Sequence, residues 1–72
     1  MKGVCQYESI LELLDDDSVE DVEVYKEGDS KVYEFSSEEL SLDDISVIAT
    51  YLDARTAGKY EERDRYFLSY DL

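Results

Sequence analysis

Apolar and polar residues exchange along this chain in two rhythms, one of period two and one near 3.6, and the switches between them mark its elements. Val22-Glu23-Val24-Tyr25 and Lys31-Val32-Tyr33-Glu34-Phe35 alternate and are rich in β-branched and aromatic residues. Between them lies Lys26-Glu27-Gly28-Asp29-Ser30, with a glycine where a tight turn needs positive φ. This pattern predicts a β-hairpin. Ile45, Ile48, Ala49 and Leu52 then fall on one helical stripe. Ser41 stands where it would cap the free N–H groups, and Asp43 and Asp44 favour the positive end of the helix dipole. The spacing predicts a helix over residues 42–57, with Gly58 as its stop. In residues 66–72, Tyr66, Leu68, Tyr70 and Leu72 alternate with Phe67, Ser69 and Asp71, which predicts a closing strand.

Residues 4–14 fit both rhythms. Tyr7, Ile10, Leu11 and Leu14 have helical spacing, whereas Cys5, Tyr7, Ser9, Leu11 and Leu13 would share one face of a strand. A strand from about Val4 that passes into a helical turn near Glu12 would satisfy both. Asp15-Asp16-Asp17-Ser18 ends the segment as an acidic turn, and the chain contains no proline to cut any element short. The fold class expected is α+β: a small antiparallel sheet of three to four strands with one long helix packed on it, and a short N-terminal helix if residues 4–14 follow the helical spacing.

Length adds a constraint. Seventy-two residues make a single acidic domain, 1–72, and a chain this short buries only about 60 % of its unfolded surface. Cys5 is its one cysteine, so no internal disulfide staples the core. A homodimer would supply more. With 43 % apolar residues, seven Tyr and two Phe, folding is expected rather than disorder. No apolar run reaches the roughly eighteen residues of a membrane span, and Met1-Lys2-Gly3 leads into no signal-peptide core. Cytoplasm, in a host cell, is the expected address.

Charge changes the picture most. Twenty acids face seven basic residues, a net charge of −13. Residues 1–44 hold fifteen of the acids against Lys2, Lys26 and Lys31, whereas residues 45–72 are nearly balanced. In that later part Arg55, Lys59, Arg63 and Arg65 are expected to pair with Glu61, Glu62 and Asp64. So much like charge weakens a small fold and exceeds what solubility requires. It also repels nucleic acid and anionic lipid as direct partners.

Enzyme chemistry finds few players. There is no histidine, which removes the commonest general base and neutral metal ligand. Cys5 lies among acids that would raise its pKa. Gly3, Gly28 and Gly58 make no phosphate-cradling loop. Asp15-Asp16-Asp17 with Glu20 and Asp21 lacks the ligand spacing of an EF-hand. No enzyme activity, cofactor or dedicated metal site is expected.

A folded ridge of carboxylates can occupy a groove built for DNA, whose charges recur about every 1.7 Å. Apolar side chains beside the ridge add a desolvated anchor that phosphates lack. Here Tyr7, Ile10, Tyr25, Tyr33 and Phe35 are interleaved with the acids. The plainer alternative is that the acids only solvate one face.

Two stretches carry a resemblance. Gln6-Tyr7-Glu8-Ser9-Ile10-Leu11, followed by acids, resembles the first strand of the Ugi-type uracil-DNA glycosylase inhibitors, whose Glu-Ser-Ile triplet lies on an edge strand that enters the enzyme's DNA cleft. The resemblance implies that Glu8 stands in for a phosphate, Ser9 bonds the cleft wall and Ile10 packs at its edge. The order hairpin, Leu40-Ser41-Leu42-Asp43-Asp44 helix start and closing strand is similar to the shorter inhibitors of Bacillus phages. In that type an apolar pocket, completed by dimerisation, captures the leucine that the glycosylase wedges into the minor groove. Ile45, Ser46 and Ala49 depart from its contact residues, so those contacts do not carry over.

Gln6, Glu8, Ser9 and Ile10 are therefore the partner-binding candidates, the alternative being an amphipathic turn with Ile10 in the core. Ile45, Ile48, Leu52 and Tyr51, with Val47 beside them, are the candidates for a leucine pocket, the alternative being a stripe packed on its own sheet. The implied function is a DNA-mimic protein inhibitor of uracil-DNA glycosylase. Mimicry aimed at a restriction or CRISPR enzyme, and an acidic interaction module without mimicry, are the other two expectations.

Overall fold

The expected hairpin heads the sheet. In the computed structural model, which describes residues 7–72, strand β1 (Glu20–Glu27) pairs antiparallel with β2 (Ser30–Ser36). Glu27 faces Ser30 across a two-residue turn in which Gly28 has φ 62°. The register slips between Glu20 and Glu23, where Asp21 adopts φ 55°. Such a bulge twists the end of an edge strand.

Helix α1 (Ile10–Leu14) precedes the hairpin, and α2 (Leu42–Tyr51), β3 (Thr56–Tyr60) and β4 (Arg65–Asp71) follow it. The sheet order is β1-β2-β4-β3, antiparallel throughout. The architecture is thus α+β, with one four-stranded sheet and two helices among the described residues.

Three sequence expectations need correction. The helix from residue 42 stops at Tyr51 and not at 57. Its end is a left-handed turn at Asp53 (φ 60°), where Asp53 N–H reaches the Thr50 carbonyl and Ala54 N–H the Ala49 carbonyl. Aspartate here does the work usually given to glycine, because its short polar side chain tolerates that region. Gly58, the expected stop, lies in β3 instead, a strand that helical spacing had concealed. A Cβ there would meet the Phe67 ring at 3.2 Å. The third concerns the edge strand that the resemblance implies for Glu8, Ser9 and Ile10: they belong to no strand, and the short N-terminal helix offered as the alternative begins at Ile10. Ser9 is the N-cap of α1, its Oγ accepting from Glu12 N–H at 3.4 Å, and Ile10 opens the helix. Whether a strand precedes them falls on residues outside those described, as do Cys5 and Gln6.

The start of α2 is as expected. Ser41 Oγ accepts from Asp44 N–H, and the Asp44 carboxylate accepts from Ser41 N–H at 2.9 Å. This reciprocal box satisfies two donors that an uncapped helix leaves open. The helix packs on β3 and β4. Between helices and sheet, Leu13, Phe35, Ile45 and Leu68 are fully buried, joined by Tyr7, Val19, Ile48 and Tyr66.

No helix of the described residues covers the other sheet face, yet Val32, Glu34 and Ser69 are buried on it. Its own side chains cover them. Tyr25, Tyr60, Arg65 and Phe67 are all half-buried there, and Tyr60 stacks on Phe67 with centroids 4.5 Å apart. At the centre the Glu34 carboxylate, 3 % exposed, accepts from Tyr25 OH at 2.8 Å and Arg65 Nε at 2.6 Å. A buried charge persists only when paired and hydrogen-bonded in this way.

Candidate functional site

The acids that the sequence counts are mostly on the surface. Every described Asp and Glu is exposed except Glu34, which is buried, and Asp16, which is half-buried. Asp16 holds its own segment together, since its carboxylate accepts from Ser18 N–H at 2.8 Å and Tyr7 OH at 3.0 Å. The Ser18 backbone bond, then its side chain and Tyr7, hold its pKa below the ordinary aspartate value.

Basic residues neutralise little of this surface. Arg55 pairs with Asp71 (2.6 Å) and Lys59 with Asp64 (3.0 Å), while Arg63 and Arg65 turn to Glu34 at 3.6 and 2.6 Å. Of the three acids expected to take them, only Asp64 does; Glu61 and Glu62 form no ion pair among the described residues. Lys26 and Lys31 sit directly opposite each other in the β1–β2 register. They form no ion pair with an acid among the described residues, and no described basic residue pairs with the acids of α1 or of the α2 start.

One cleft, about 310 Å³, gathers the sequence candidates. Glu8, Ser9 and Ile10 line it from the start of α1, and Tyr51, Leu52 and Asp53 from the end of α2. Tyr33 of β2 and Tyr70 of β4 complete it from the sheet. Two groups of candidates some forty residues apart in sequence therefore share one wall-to-wall site.

Each side chain has a local reason to be there. Ser9 is fixed by capping α1, and the Glu8 backbone N–H is tied to Glu12 Oε1 at 3.0 Å. Tyr33 and Tyr70 are diagonal neighbours across the β2–β4 ladder and meet edge to face, 5.7 Å apart at 89°. Tyr70 OH donates to the Leu52 carbonyl at 3.0 Å, pinning the end of α2 to the sheet. Burial, then the charges of Tyr33 and Asp53, push the Tyr70 phenol above its ordinary pKa. The left-handed turn places Asp53 at the rim, and Tyr51 is 56 % exposed beside it.

Other candidates lie elsewhere. Ile45 and Ile48 are closed inside the core, so the helix stripe is no open pocket; Val47 is half-buried and lines no part of the cleft. Of the five anchors interleaved with acids, Ile10 and Tyr33 reach the cleft. Tyr7 and Phe35 are buried, and Tyr25 serves Glu34 on the opposite face. Sequence reasoning missed Asp53 and Tyr70. The alternation of residues 66–72 gave Tyr70 its strand, but only the strand order puts it next to Tyr33. The described residues contain no helix long and apolar enough to cross a membrane. No family model, curated protein or solved structure matches this chain.

Proposed function

We propose that this chain is a DNA-mimic protein that inhibits uracil-DNA glycosylase by occupying its DNA-binding cleft. The observation that carries the reading is the convergence of Glu8, Ser9 and Ile10 with Tyr51 and Leu52 on one cleft, in a protein whose described acids are nearly all exposed and mostly outside its ion pairs. Carboxylates on α1 and around the α2 start stand where an enzyme expects phosphates, and they offer no bond to hydrolyse. Ile10 and Leu52, the aliphatic side chains of the cleft, take the leucine that such an enzyme otherwise drives between bases. Glu8 is presented from a helix start and not from an edge strand, so its partner contacts are its own and not those of the Ugi type.

The test is uracil excision by a purified bacterial family-1 enzyme, with and without equimolar protein, at moderate salt. Stoichiometric inhibition that persists as salt is raised supports a docked mimic with an apolar anchor, because purely electrostatic binding is screened. No inhibition at tenfold excess removes the glycosylase and leaves another DNA-binding enzyme as the target. A protein that unfolds at low salt is an acidic domain adapted to brine.

A further inference from the structure

The cleft is lined by more than aliphatic side chains. Tyr33, Tyr51 and Tyr70 line it as well, together with Glu8 and Asp53. None of the ion pairs among the described residues involves Glu8 or Asp53. We infer that this cleft also holds a guanidinium site, which takes an arginine side chain of the protein partner against the tyrosine rings and between the two carboxylates.

Three physical arguments favour a cation there. Tyrosine faces carry the negative lobe of the ring quadrupole and attract a cation within about 6 Å. The chain already uses this attraction, since the Lys31 ammonium lies 5.4 Å from the Tyr33 ring centre. A partner that covered the cleft with apolar groups alone would desolvate two carboxylates and leave them unpaired, which is costly at any interface. Arginine suits the site better than lysine because its planar head stacks on rings and offers donors to two carboxylates at once.

The inference rests on the proposed function in one respect, that the occupant comes from a protein; it names what that protein must present. A target that normally grips DNA is rich in such side chains. The test therefore dispenses with the glycosylase. The full chain, with its tyrosines isotopically labelled, is titrated with acetyl-Gly-Arg-Gly-amide and followed by NMR. Matching peptides carry citrulline, which has the same shape without the charge, or leucine.

The expected result is that the arginine peptide moves the ring signals of Tyr33, Tyr51 and Tyr70. The citrulline peptide should bind about tenfold more weakly, the equivalent of roughly 1.4 kcal/mol. Glu8→Gln and Asp53→Asn should each lower arginine-peptide affinity about threefold or more, the asparagine keeping the left-handed backbone that residue 53 requires. Equal binding of citrulline, preference for leucine, no tyrosine shift at millimolar peptide, or shifts of Tyr25 and Tyr60 as large as those of the cleft would each overturn it. Arginine binding in the cleft without glycosylase inhibition would sink the choice of enzyme and spare the site. Inhibition without arginine selectivity would do the reverse.

Discussion

Arg65 Nε lies 2.6 Å from Glu34 Oε2 on the sheet face that no helix covers, and this pair anchors the polar layer of that face. The Arg65 guanidinium continues outward to the Asp21 and Glu34 carbonyls and to the Glu23 carboxylate at 3.8 Å. One arginine thus ties the edge strand β1, at its bulge, to the two central strands.

Acid should undo this layer. Burial pushes the Glu34 carboxyl up, but the Tyr25 and Arg65 hydrogen bonds and the charges of Arg63 and Arg65 outweigh it, so its pKa is lowered from 4.5. A carboxyl whose folded value is below its unfolded one stabilises the fold above the unfolded value and loses that contribution as pH falls through the folded one. Stability should therefore decline as pH drops below about 4.5, and urea midpoints measured from pH 7 downward check it. In Glu34→Gln the decline over that range should shrink.

Removing one member of the pair should cost more than removing both. Glu34→Gln takes from the partly buried Arg65 its nearest carboxylate and should destabilise by about 3 kcal/mol, on the order of 15 °C in Tm for a domain of this size. Replacing Glu34 and Arg65 together by methionine should recover most of that loss. Thermal melts of the single and the double variant beside the parent protein decide it.

Charge position should matter more than charge number. Glu8→Lys alters the cleft, whereas Glu38→Lys alters an exposed loop between β2 and α2. Both change the net charge equally, and inhibition of uracil excision should fall far more for Glu8→Lys. Equal losses would mean that the acids act only as a diffuse field.

The turn after α2 makes a prediction about the backbone. Asp53→Gly should be neutral or stabilising by up to about 1 kcal/mol, since glycine enters the left-handed region freely. Asp53→Ala should destabilise by about 1 kcal/mol, because a Cβ without a polar tip is penalised there. Urea unfolding of the three proteins orders them.

How much of this was legible in the sequence depends on whether one residue announces the event. Ser41 with Asp44 fixed the start of α2, and Gly28 between alternating runs fixed the hairpin. The end of α2 was hidden because an aspartate, ordinary in so acidic a chain, took the place of the expected glycine. That concealed β3, whose Thr-Ala-Gly-Lys-Tyr has little of the β-branched character that marks a strand. For the site, Glu8, Ser9, Ile10, Tyr51 and Leu52 were readable as candidates. Their meeting, and the addition of Tyr33, Tyr70 and Asp53, depend on which strands lie side by side, a long-range property that local periodicity does not encode.

The strand order β1-β2-β4-β3 has a consequence for how the molecule is assembled in time. Each outer strand pairs with its neighbour in sequence through a short turn, as Glu27 with Ser30 and Tyr60 with Arg65. These two ribbons close cheaply. The central seam instead joins Phe35 to Tyr66 and Ser30 to Asp71, with α2 and β3 looped between. Closing that loop costs entropy before any contact repays it. Folding speed is therefore set at the seam, and substitutions of Phe35 or Leu68, which close it, should slow folding.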